Sequence, residues 1–179
     1  MKKLLSAAAL LALFAAPARS QTPANVPPAD PADVESVDAI MTAVYDVISG
    51  EAGEARDWDR FRSLFRPEAH LIPTGSSQNG DFFILYWSPE EYVERAGANL
   101  ESSGFFEKEI HRVQEGYGQI VHLFSTYESY RSESDAAPFA RGINSFQLVN
   151  DGDRWWVVNI FWQGETPANQ IPTKYLPQG

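Results

Sequence analysis

Apolar and polar positions alternate in two distinct rhythms along the chain. Val37, Ile40, Met41, Val44 and Ile48 recur at helical spacing and stop at Gly50. Asp30 and Pro31 stand ahead of that run, in the order expected of a helix cap and a first helical residue. Trp58, Phe61, Leu64 and Phe65 form a second apolar stripe behind Asp57, and Pro67 ends it. His70–Pro73 reads as a short strand, residues 74–81 as a polar loop, and Phe82–Trp87 as an apolar strand. Ser88-Pro89-Glu90-Glu91 is a capping box, so a third helix starts there, buries Tyr92, Ala96 and Leu100, and closes at Gly104. The rhythm then shifts to long β-rich runs over Phe105–Glu115, Gln119–Arg131, Phe139–Val149 and Arg154–Gln163. Helices first and strands afterwards predict an α+β fold with a curved, meandering antiparallel sheet around about three N-terminal helices. The last strands are apolar on both faces, so both faces need covering.

Residues 1–20 read as a signal peptide: Lys2 and Lys3, an apolar run from Leu4 to Phe14, and small residues for cleavage near Ser20. The run is too short to cross a bilayer. The expected organisation is a signal peptide over 1–20, a Pro/Ala linker over 21–32, one domain over 33–165 and an extended tail over 166–179. The expected location is periplasmic or secreted, with no membrane attachment after cleavage. There are 0 cysteines, so neither a disulfide nor a lipid anchor on cysteine is available. Cleavage removes Lys2, Lys3 and Arg19 and no acid, taking the formal net charge from −10 to −13. That charge argues against nucleic acid or an anionic membrane as partner.

Asp151-Gly152 between two β-rich runs is a strong hairpin signal. A two- or four-residue loop pairs Val149 with Arg154, Phe146 with Val157 and Asn144 with Asn159. Asn144, Phe146, Asn159 and Phe161 then share one aromatic face, with Ser145 and Gln147 on the rival face. Two amides on such a face either orient a ligand in a pocket or satisfy each other. The preceding strand presents His122, Phe124, Thr126 and Glu128 on one side. If that side joins the Asn144/Asn159 face, His122 is a candidate general base or acid with Glu128 to orient it. Tyr86 borders the loop expected over the pocket mouth. Glu107 and Glu109 share a face, but paired carboxylates carry meaning only when buried. No metal-ligand spacing, Gly-x-Ser-x-Gly elbow or phosphate loop occurs, so neither a metal nor a cofactor is expected.

The local features Asp57-Trp-Asp-Arg-Phe61, Tyr117–Glu128, Arg141–Leu148 and Asp151-Gly-Asp-Arg-Trp155 follow one another in an order that resembles the nuclear transport factor 2-like (SnoaL-like) superfamily. The resemblance spans about residues 33–165. It implies a cone whose concave sheet face and helices enclose a pocket, and a homodimer through the sheet. Members include isomerases, dehydratases, cyclases and non-catalytic binding proteins, so the resemblance implies a fold and no single reaction. The two functional expectations are a small-molecule pocket with acid–base chemistry of lyase, isomerase or cyclase type, or a binding or structural module without catalysis.

Overall fold

A computed structural model describes residues 23, 25–77 and 79–178. The predicted signal peptide lies outside the described residues. The first helical stretch is two helices, α1 (Pro31–Val34) and α2 (Val37–Val47). Asp30 caps the first, accepting from Ala32 N at 2.9 Å, and Ser36 interrupts the run by capping the second, accepting from Ala39 N at 3.1 Å. Asp57 caps α3 (Trp58–Leu64), and the chain passes at once into β1 (Phe65–Ser76). Pro67 therefore lies inside a strand. β2 (Phe82–Ile84) is shorter than the predicted run. α4 (Pro89–Ser103) starts in the predicted capping box and ends at Gly104, whose φ of +66° suits glycine. β3 (Phe106–Tyr117), β4 (Ile120–Tyr130), β5 (Ala140–Asn150) and β6 (Trp155–Gly164) follow within a residue or two of expectation.

The six strands form one sheet in the order β2-β1-β6-β5-β4-β3. The four long strands are antiparallel, as the turns require. β1 joins the free edge of β6 in parallel, which makes the sheet mixed rather than wholly antiparallel. Direct passage from α3 into β1 fixes that strand's direction. The helices pack on the inner face, where Ile40, Met41, Phe61, Leu64, Leu123, Phe146 and Val157 are all at most 1% exposed. Part of the outer face is covered by the C-terminal tail: Thr126 Oγ1 donates to Tyr175 O at 2.6 Å, and the Tyr175 ring lies 4.9 Å from that of Phe124.

The hairpin between β5 and β6 has a four-residue loop, and Asn150 pairs with Trp155. Val149 pairs with Trp156 rather than Arg154, and Val157 with Leu148 rather than Phe146, a shift of two that leaves Leu148 and Val157 on the expected inward face. The ladder then shifts: Gln147 pairs with Asn159, and Val158 is an extra residue. A β-bulge of this kind bends the strand and reverses the facing of everything beyond it. Asn144 consequently lies opposite Trp162, and Asn159 lies opposite Gln147. The expected Asn144/Asn159 pair does not form, and the two amides stand on opposite faces. A second bulge, at Ile110, shifts β3 against β4 between Glu109 and His111.

Arg56 ties the end of α2 and the loop after it to α4 from a position only 7% exposed. Its guanidinium donates to Ile48 O at 3.1 Å, Gly50 O at 2.5 Å, Leu100 O at 3.3 Å and Glu54 O at 2.6 Å. Ile48 and Leu100 end α2 and lie in the last turn of α4, where unpaired carbonyls and helix dipoles favour a cation. Replacing Arg56 by Met keeps the stem and removes these donors. Stability should fall by about 2–4 kcal/mol in urea unfolding, because buried carbonyls lose their partners. A loss below about 0.5 kcal/mol would show that the clamp contributes little.

Candidate functional site

Between the inner sheet face and the helices lies a cavity of about 300 Å³. Its walls are mostly apolar: Phe61, Leu71, Leu100, Phe105, Ile160 and Trp162. Its polar groups are Glu107 on β3, Tyr127 and Ser129 on β4, Asn144 on β5 and Tyr92 on α4. Strand alternation and register gather them. Glu107 pairs with Ser129 across β3 and β4, and Glu109 with Tyr127, so all four face inward together. Ser125, two residues before Tyr127, pairs with Asn144 on β5.

Glu107 is the chemical centre of this set. Ser129 Oγ donates to its Oε2 at 3.0 Å, and Asn144 Nδ2 donates to its Oε1 at 3.2 Å. Its backbone N–H donates to Ser49 Oγ at 3.1 Å. Desolvation pushes the carboxyl up to about 7, against the opposing effect of the Ser129 and Asn144 hydrogen bonds. The residue as a whole keeps some accessible surface, and it lines both this cavity and a polar cleft on its other side. The carboxyl itself is enclosed by protein groups, and that enclosure sets its affinity for protons. Burial, and then the charge of Glu107, raise the hydroxyls of Tyr92 and Tyr127, so both keep their protons near neutral pH. The Tyr127 ring fits there because residue 142 is glycine: a Cβ at Gly142 would lie 2.6 Å from Tyr127 Cζ and 2.5 Å from Gln163 O. Tyr92 is held by a stack on Phe61, with ring centres 5.3 Å apart.

Of the residues singled out from sequence, Asn144 lines this cavity, and Phe146 lies beneath it as core, 1% exposed and edge-on to Tyr45. The bulge at Val158 turns Asn159 and Phe161 to the outer face. Phe161 there borders a groove of about 350 Å³ between the sheet and the tail, with Phe124, Ser145, Ile171 and Tyr175. The carboxylate of that groove, Glu165, is held by Arg141 Nε at 2.7 Å and by Ile171 N at 2.9 Å, and these bonds depress its pKa. A carboxylate so paired is a poor proton acceptor, and the groove offers less acid–base chemistry than the cavity. His122 is on the outer face, its Nε2 3.1 Å from Ser145 Oγ. Glu128 shares that face but lies six residues along the strand, roughly 20 Å away, and accepts from Tyr130 OH at 2.7 Å. His122 and Glu128 therefore do not meet. Tyr86 is 60% exposed and lies edge-on to His70. Among the described residues no group of three His, Asp or Glu is placed to hold a metal ion.

The sequence pattern did not place Glu107, Ser129, Tyr127 or Tyr92 in the site. The signal was present in Glu107 and Glu109, two carboxylates in phase on a strand that begins Phe105-Phe106 and continues through Ile110. Their burial depends on the β3–β4 register, which sequence spacing did not supply.

Fold and cavity together define a class: an α+β cone with a cystatin-like fold. No family model matches the sequence, and no curated protein matches it. Among similar solved structures is a protein of unknown function with a cystatin-like fold from Nostoc punctiforme, 11% identical, with TM-score 0.55, matching 73% of this chain and 90% of that one. Another, with a cystatin-like fold from Caulobacter vibrioides, is 13% identical with TM-score 0.54 over 75% of this chain and 90% of that one. A nuclear transport factor 2-like protein of unknown function from Silicibacter pomeroyi is 14% identical with TM-score 0.48 over 73% of this chain and 94% of that one. Likeness at this level concerns the fold and carries no ligand or reaction.

The raised carboxyl has a consequence for stability. The unfolded chain holds Glu107 near its ordinary 4.5, whereas the folded protein holds it near 7. Between those values the folded state binds the extra proton, so stability falls as pH rises from about 4.5 to about 7 and is flat above. Glu107→Gln mimics the neutral carboxyl. It should stabilise the protein at pH 8, by roughly 3 kcal/mol at most, and leave it nearly unchanged at pH 4. Thermal denaturation at both pH values checks this, and an equal effect at both would count against a raised pKa.

Proposed function

We propose that the cone cavity binds a small, largely apolar molecule and that Glu107 moves a proton on it as general base and acid. The observation that carries this reading is a carboxyl on an apolar cavity wall, held by Ser129 and Asn144, with an affinity for protons matched to neutral pH. A base so tuned is half ionised where it works, which suits proton abstraction and return. Tyr92 and Tyr127 supply O–H groups for charge that develops on the ligand. Lyase, isomerase or cyclase chemistry would need no more than these groups. Acid–base work therefore falls to Glu107, since His122 and Glu128 point away from the cavity. The N-terminal run supports export to the periplasm or beyond, and the apolar surface that the tail leaves exposed on the outer face, with Phe161 42% and Val158 38% exposed, supports a homodimer through the sheet.

Native mass spectrometry of protein purified from the periplasm should show a small-molecule adduct. Ala140→Trp, which fills the cavity, should abolish it. Glu107→Gln should keep the adduct while slowing deuterium uptake from D₂O into the ligand by about 100-fold or more. Retained adduct with unchanged, slow exchange in both proteins would favour the binding module without catalysis. Dimerisation is checked separately: light scattering at micromolar protein should return twice the chain mass, and a one-chain mass refutes it.

A further inference from the structure

A continuous line of hydrogen bonds runs behind the cavity wall and ends on two carboxylates. Ser125 Oγ donates to Glu109 Oε1 at 2.5 Å. Tyr45 OH lies 2.7 Å from the same Ser125 Oγ, and Asn144 Nδ2 donates to Tyr45 OH at 3.1 Å. The second N–H of that amide goes to Glu107 Oε1. Ser125 has one proton and gives it to Glu109, which only accepts when ionised. Ser125 must then accept from Tyr45, and Tyr45 must accept from Asn144. Arg112 donates to Glu109 through Nε at 2.9 Å and to Asp38 through Nη1 at 2.6 Å, so Glu109 is ion-paired where it accepts from Ser125.

A chain of hydroxyls between two acceptors needs one double donor. The Asn144 NH₂ is that group; aspartate has no N–H and a hydroxyl has one proton. We propose that Tyr45, Ser125 and Glu109 are positioning residues: they fix the Asn144 amide with its NH₂ toward Glu107 and so hold down the proton affinity of the cavity carboxylate. This rests on Glu107 being the base. Burial raises the Tyr45 hydroxyl well above its ordinary value, so it keeps its proton and the chain has no second polarity at neutral pH. With the chain broken, the amide turns over, Asn144 Oδ1 faces Glu107 and accepts from its protonated form, and Glu107 holds its proton more tightly. The ionisable groups around Glu107 are Tyr45 and Asp46 on α2, Tyr92 on α4, Tyr127 on β4, Glu133 beyond β4, and Lys108 and Glu109 on its own strand.

The test is the titration midpoint of Glu107, read from carbon-13 carboxyl shifts in the full-length mature protein. Ser125→Ala frees the Tyr45 proton to turn toward Asn144 without changing charge, and should raise the midpoint by about one pH unit. Tyr45→Phe should do the same. Glu109→Gln separates polarity from charge: losing a nearby negative charge alone lowers the midpoint, whereas reversal of the chain raises it. A rise in all three supports the proposal. Unchanged midpoints in Ser125→Ala and Tyr45→Phe, or a fall in Glu109→Gln, overturn it, even if thermal stability drops. A wild-type midpoint below about 5 instead overturns the role of Glu107 as base. If one variant fails to fold, the other two decide.

Discussion

Curvature is the constraint on which the molecule depends. A sheet that lies against helices on one face must bend around them, and two of its long strands bend by carrying one extra residue each. Ile110 is that residue in β3 and Val158 in β6. Each bulge also changes which side chains look inward. In β3 it puts Arg112 on the face of Glu109 although the two are three apart, and that is why they pair. In β6 it sends Ile160 and Trp162 to the cavity and Asn159 and Phe161 outside. These two bulges, with a third register shift in β1 between Phe65 and His70, thus act on the bend of the sheet and on the facing of its side chains together.

The bent sheet encloses polar groups that a flat, one-sided sheet would leave in water. A buried carboxyl is costly, and its cost appears here as a raised pKa rather than as a missing partner. Among the described residues no buried side-chain polar atom lacks a hydrogen bond. Ser129, Asn144, Tyr45 and Ser125 are therefore placed by need as well as by chance of register: each satisfies a group that curvature has buried. Glu107 still destabilises the fold when ionised. A residue that weakens the fold and sits on a cavity wall is better explained by what it does there than by what it holds together.

Much of the fold was legible because it is local. The caps at Asp30, Asp57 and Ser88, the breaks at Gly104 and Asp151-Gly152, and the bounds of four long strands all rest on residues close in sequence. The interruption at Ser36 rests on a residue type that caps helices, but the Asp30-Pro31 start ahead of it was read as the start of the whole run. What failed was non-local. Pairing by a count from Val149 and Arg154 made Asn144 and Asn159 neighbours; the ladder closes two residues away, at Asn150 and Trp155, and a bulged valine with no mark in its type then puts the amides on opposite faces. Leu148 and Val157 keep the face that the count assigned them, because they lie between the turn and the bulge, although the count had paired Val157 with Phe146. His122 and Glu128 share a face as alternation demands, yet a face is long, and six residues of strand separate them beyond any contact. The parallel pairing of β1 with β6 had no sequence signal, since it joins segments nearly ninety residues apart.

Residue types in the cavity wall carry more information once the register is known. Position 144 faces two acceptors, the Glu107 carboxyl and a Tyr45 hydroxyl whose proton is already committed. Only an amide or a cation among side chains can donate to both at once. A lysine or arginine there would pair with Glu107, lower its pKa and remove the proton affinity that makes it useful near neutral pH. Asparagine meets the geometric demand without adding charge. The amide that looked, from sequence, like half of a ligand-orienting pair is better understood as the joint between two carboxylates: one anchored by Arg112, the other on the wall of the cavity.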